Sequence, residues 1–196
     1  MRVLVHVPAG LRQVRTIIYL HGHGDKIERV RDTLLPLWDK AKNPAIIIAP
    51  QLGPLSEPGP LANAGALASL LHAVDVSGPV AIMAHSGGYL AAAILLRDST
   101  IVSKVGLLDA LYGELPTYRS FLARTRRFIN VYGPSTEKNS VLLLDHFPEA
   151  VWLNTTPLDT PDLEHMLQFK ISTFATSVFH PNVPAVYGAT MIDGLS

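Results

Sequence analysis

Three features of the sequence predict a three-layer α/β/α fold built on a mostly parallel sheet. Short apolar runs alternate with longer stretches of helical periodicity along the whole chain. Glycine, proline and asparagine punctuate the junctions between them. One apolar run, Val80-Ala81-Ile82-Met83-Ala84, ends in His85-Ser86-Gly87-Gly88 and passes directly into an alanine-rich stretch. Strands that alternate with helices pair in parallel and are covered on both faces. In such sheets ligands gather at the C-terminal ends of the strands.

Composition sets the outer bounds. The 196 residues are 48% hydrophobic and only 16% charged, which describes a folded chain with a substantial core. No repeat or linker divides it, so 1–196 is expected to form a single domain. Lys+Arg and Asp+Glu number 16 each, and this balance argues against a nucleic-acid partner or an acidic membrane surface. The absence of cysteine removes thiolate catalysis, disulfides and cysteine metal sites. Met1 to Pro8 lacks the apolar segment of a signal peptide, and no apolar run approaches the roughly 20 residues of a membrane helix. A cytoplasmic location is expected. The pattern does not specify an oligomeric state.

Taken in order, the alternating residues 1–7 predict a first strand, closed by Pro8-Ala9-Gly10. A second strand is expected over 14–20, followed by the loop His21-Gly22-His23-Gly24-Asp25. Val30, Leu34, Leu37 and Trp38 share one face of a helix over 27–40, which Asn43-Pro44 stops. Residues 45–49 form a short apolar strand, and 50–60 are too rich in proline and glycine for an element. A helix over 61–74 precedes the strand at 80–84, and 88–97 is the helix after it. Further strands are expected at 102–108, 127–132 and 150–154, with helices at 117–124 and 140–147. Pro161 suits the first turn of a final helix over 161–176. The tail from His180 has no clear period and is expected to pack on the body or cover the site.

The strand ends carry the candidate chemistry. Strand, sharp turn with Ser86 at its tip, and helix form the layout of a nucleophile elbow, with Ala84 and Gly88 at the positions of the two glycines in G-x-S-x-G. The alternative for Ser86 is a helix N-cap in a tight turn. Asp109 follows the apolar strand that ends at Leu108, and a carboxylate there needs a partner. Its alternative is a turn or N-cap aspartate, and Glu137 or Asp159 are the other acids available. A serine hydroxyl needs a base. His165, after the last expected strand, is preferred over His146, which precedes that strand, and over His180 in the tail.

The order Ser86, Asp109, His165, preceded by the His21-Gly22-His23-Gly24 loop, resembles the α/β-hydrolase superfamily. More narrowly, it resembles small bacterial members with a Ser-Gly-Gly-Tyr elbow and a Leu-Leu-Asp-Ala-Leu-Tyr-Gly segment, here Ser86 to Tyr89 and Leu107 to Gly113. The Glu57-Pro58-Gly59 turn is similar to that group as well. The resemblance implies a compact hydrolase fold without a large cap domain. It also implies a Ser86-His165-Asp109 triad and an oxyanion hole from the N–H groups of Gly87 and His23. Gly22, Tyr89 and Tyr112 are expected to line the substrate pocket. The expected function is a serine hydrolase acting on a carboxylic ester through an acyl-enzyme, without cofactor or metal. An amide or peptide bond is the runner-up, because the same triad serves both. His21-x-His23-x-Asp25 also reads as a metal motif, with His85, Asp109 and His165 as further ligands, but Lys26 stands where that motif has its last histidine. The remaining alternative is a hydrolase-fold binding protein with no activity.

Overall fold

The computed structural model describes residues 1–11, 15–97, 100–124, 127–153 and 169–195. Eight strands form one sheet in the order β1-β3-β2-β4-β5-β6-β8-β7. They are β1 (Val3–His6), β2 (Thr16–Leu20), β3 (Ile46–Pro50), β4 (Val80–His85), β5 (Val102–Leu108), β6 (Arg127–Tyr132), β7 (Val151–Leu153) and β8 (Ile171–Ala175). Only β1 runs antiparallel to its neighbour; every other pairing is parallel. The central strands β2 and β4 are buried on both faces, which is why they read as unbroken apolar runs.

The alternation of side chains splits the core in two. Ile18, Leu20, Ile82 and Ala84 face a layer made by α2 (Ala66–Ala73), α3 (Tyr89–Arg97), α4 (Leu115–Ala123) and α5 (Glu137–Leu144). Ile17, Tyr19, Ala81 and Met83 face the opposite layer, made by the helical segment α1 (27–38) and by α6 (Val183–Leu195). Within α1, a π-helical stretch Val30–Leu34 lies between α-helical Ile27–Arg29 and Leu35–Trp38. Pro36 lacks the N–H that a regular helix would use there, and the wider turn accommodates it.

The end of the chain departs from the sequence expectation. Residues 171–175 are a strand that inserts between β6 and β7, not the end of a helix. The first part of that expected helix lies outside the described residues. The tail is α6, whose buried positions Val183, Tyr187, Met191 and Leu195 recur every fourth residue. Two glycines let it sit close. A Cβ on Gly188 would strike the Trp38 ring, and one on Gly106 of β5 would strike the Met191 sulfur. Trp38 is fixed from both sides, its Nε1–H donating to Pro184 O at 2.9 Å and its ring meeting Tyr19 edge-on at 4.8 Å. Among the described residues no helix is long and apolar enough to cross a membrane.

Candidate active site

The site is assembled at the C-terminal ends of β2, β4 and β5. Strand β4 ends at His85, and the chain turns through a short 3-10 segment, Ser86–Gly88, into α3. Ser86 has φ 51°, in the left-handed region that non-glycine residues rarely occupy. Such strain persists where the surrounding structure over-determines it, and it is common at functional sites. Glycines make the turn possible. A Cβ on Gly88 would collide with the Leu20 carbonyl, so only glycine lets α3 start this close to β2. A Cβ on Gly22 would lie 2.8 Å from Ser86 Cβ and 3.1 Å from His85 Nδ1. The 21–24 loop therefore packs directly on the elbow. The space beside Gly87 is closed by Ser56 Oγ and the His23 ring, 2.7 Å and 2.9 Å from where a Cβ would be.

Asp109, at the end of β5, has φ 48° and is buried. Its carboxylate is fully engaged. Oδ1 accepts from Gly133 N at 2.9 Å and from Thr136 Oγ1 at 2.5 Å. Oδ2 accepts from His180 Nδ1 at 2.6 Å. Burial pushes the carboxyl pKa up, but the bonds from His180, Thr136 and Gly133, with the His180 charge, outweigh it and hold the group below its ordinary value. Thr136 is itself held by a buried polar network. Ser140 Oγ donates to Thr136 O at 2.9 Å, and Asn130 Nδ2 donates to Ser140 Oγ and Thr173 Oγ1 at 2.9 and 3.2 Å. The loop that supplies Glu137 thus contributes Thr136 as a donor to Asp109.

The partner of Asp109 is His180, where the sequence favours His165. It lies in a 3-10 turn, His180–Asn182, between β8 and α6. Its ring stacks on His85 with centroids 4.8 Å apart and meets Tyr112 edge-on at 6.2 Å. His165 and Asp159 lie outside the described residues. His180 follows β8 by five residues, and β8 carries β-branched and aromatic residues but no alternation, so the sequence gives only a weak signal for a strand end there. His85, which neighbours Ser86, is buried and donates from Nε2 to the His180 carbonyl at 3.1 Å. Burial and the nearby His180 lower its pKa to about 4, so the ring is neutral at pH 7.

The 21–25 segment is organised by hydrogen bonds. The buried His21 ring donates from Nδ1 to Gly22 O at 3.0 Å, and its Nε2 accepts from Leu52 N and Gln51 Nε2, both at 2.9 Å. Both ring nitrogens are consumed. Asp25 takes both carboxylate oxygens to Arg29 at 2.6 and 2.7 Å. Among the described residues no group of three or more His, Asp or Glu side chains is placed to hold a metal ion. Tyr89 and Tyr112 face each other with ring centroids 6.1 Å apart, and Tyr112 is partly exposed beside His180.

The fold is that of the α/β-hydrolases. An esterase domain from Rhodothermus marinus superposes with a TM-score of 0.63 at 12% identity, covering 95% of this chain and 88% of that one. A Silicibacter protein provisionally described as a thioesterase gives 0.61 at 12% identity, with coverage of 98% and 79%. An S-formylglutathione hydrolase from Agrobacterium tumefaciens gives 0.53 at 12% identity, with coverage of 97% and 86%. No family model matches the sequence, and no curated protein does.

Proposed function

We propose that this chain is a serine hydrolase that cleaves a carboxylic ester through an acyl-enzyme on Ser86, with His180 as base and Asp109 as its orienting acid. The observation that carries the proposal is the 2.6 Å bond from His180 Nδ1 to Asp109 Oδ2 beside a strained serine at the tip of β4. That bond sets the tautomer, protonated at Nδ1 and free at Nε2, and stabilises the imidazolium that forms during the reaction. The esterase, thioesterase and S-formylglutathione hydrolase activities named for the structural neighbours all belong to acyl transfer, which supports the same reading.

In the first half-reaction Ser86 Oγ attacks the ester carbonyl carbon, and His180 Nε2 takes the hydroxyl proton. The tetrahedral oxyanion collapses, the C–O bond to the alcohol breaks, and the alkoxide leaves with the proton from His180. Water then repeats the sequence on the acyl-enzyme and releases the acid. The oxyanion is assigned to the N–H groups of Gly87 and His23. Among the described residues the loop uses the N–H groups of Gly24 and Asp25 on Pro54 O and Gly22 O and leaves that of His23 uncommitted. Gly22 lets the loop approach, and Tyr89 and Tyr112 form the apolar wall of the pocket. No hydrogen bond of the Ser86 hydroxyl is formed among the described residues.

The test is labelling with a fluorophosphonate. Wild type is expected to react, Ser86→Ala to be inert, and His180→Gln to react at least about 100-fold more slowly. His165→Gln is the comparison. If it silences labelling while His180→Gln leaves it intact, the base is His165 and not His180.

A further inference from the structure

We infer that Arg29 and His85 are positioning residues that clamp the turn carrying the base, by holding the main-chain carbonyls of His180 and Pro181. The inference rests on the reading of Ser86 and His180 as nucleophile and base.

The turn needs an anchor of its own. Between β8, which ends at Ala175, and α6, which begins at Val183, one short 3-10 segment is the only regular structure. The His180 side chain is one-third exposed. Its bond to Asp109 fixes one ring nitrogen, and within the turn Val183 N and Asn182 N close short main-chain bonds to His180 O and Phe179 O, which tie the turn to itself and not to the rest of the site. Two consecutive carbonyls there are each caught by a side chain from a distant element. His85 Nε2 donates to His180 O at 3.1 Å, and Arg29 Nη2 donates to Pro181 O at 2.6 Å across 152 residues of sequence.

Both donors are tied to the rest of the site. His85 directly precedes Ser86, and its ring stacks on the ring of His180. Arg29 Nη1 holds Asp25, which follows the 21–24 loop. The guanidinium thus joins the oxyanion loop to the base turn with its two arms. An Asp–Arg pair spaced i,i+4 stabilises a helix by only a few tenths of a kcal/mol. Such a pair has no need of a second arm reaching across the molecule. The planar fork of arginine meets both partners at once, and a lysine ammonium cannot reproduce that geometry.

The clamp is tested with Arg29→Met, Arg29→Lys, His85→Leu and His85→Gln, using fluorophosphonate labelling rates and the hydrolysis of p-nitrophenyl acetate. Rates are normalised to folded protein from circular dichroism. Arg29→Met and His85→Leu are expected to lower kcat and the labelling rate roughly 10- to 100-fold with little change in KM, as a displaced catalytic group does. The far-downfield proton resonance of His180 Nδ1 should weaken or shift in both. His85→Gln keeps an N–H at the Nε2 position and should recover most of the rate lost in His85→Leu. Arg29→Lys keeps the charge on Asp25 and should still be slowed, which also covers the case in which Arg29→Met does not fold. Wild-type rates per folded molecule in Arg29→Lys and His85→Leu would overturn the clamp while leaving the serine mechanism standing. Failure of wild type to label would instead remove the mechanism on which the clamp rests.

Discussion

Asp109 and His180 meet at 2.6 Å although 71 residues separate them in the chain. Strand β5 delivers the carboxylate and the turn before α6 delivers the ring. Asp109→Asn keeps acceptors for Gly133 and Thr136, but its amide presents an N–H toward His180 Nδ1. The ring must then adopt the wrong tautomer. Turnover of p-nitrophenyl acetate is expected to fall roughly 1,000- to 10,000-fold. Thermal unfolding should show the fold retained.

The two glycines of the loop after β2 have separable roles. Gly22→Ala places a methyl 2.8 Å from Ser86 Cβ, so the elbow or the loop must move. Activity should drop by about 100-fold or more. Gly24 has φ 69° and open space around its Cβ position. Gly24→Ala should cost about 1 kcal/mol of stability from backbone strain and leave most of the activity. Parallel kcat and urea-unfolding measurements distinguish the two.

Stability should fall with acid in two windows. Folded His85 has a pKa of about 4 against an ordinary 6.5, so the unfolded chain takes up the proton first. The stabilisation is complete above pH 6.5 and is lost as pH falls toward 4, an effect on the order of 3 kcal/mol. Asp109 acts lower down. Its folded pKa is depressed, so its contribution is present above the ordinary carboxylate value and is lost as pH falls through the folded one. Urea midpoints between pH 7 and 4 check the first window, and His85→Gln should flatten it.

Gly188→Ala tests the packing of α6. The added methyl meets the Trp38 ring, which cannot retreat without losing its bond to Pro184. A loss of roughly 1–3 kcal/mol is expected from overpacking. The denaturant midpoint should shift with an unchanged m value.

The sheet, the tight turn at Ser86 and the place of Asp109 at a strand end were legible because each rests on a local pattern. Strands β2 to β6 are apolar runs followed by turn residues, and the Ser86 turn needs small residues that can be seen in sequence. His180 as the partner of Asp109 was not legible in that way. A histidine's partner is set by which strands pair, and β8 pairs with β6 inside β7. Ile171-Ser172-Thr173-Phe174-Ala175 is buried on both faces and shows no polar-apolar alternation, so in sequence it continues the helical-looking segment before it. The last helix was obscured by Pro184, Gly188 and Gly194, which lower intrinsic helix preference. Tertiary packing overrides that preference, since Gly188 exists to admit Trp38. The burial of Thr136 against Asp109 depends on the Asn130–Ser140 network across β6 and α5, which no short-range pattern reveals.

The position of α6 also joins durability to chemistry. The turn bearing His180 runs without a break into the helix that covers the second face of the sheet. Trp38 is locked into that same layer. Loosening the layer therefore releases His180 from Asp109 at the same moment. In a Trp152→Phe background, loss of any esterase activity on heating and loss of the Trp38 fluorescence should coincide, so that one optical probe in the helical layer reports on the state of the site.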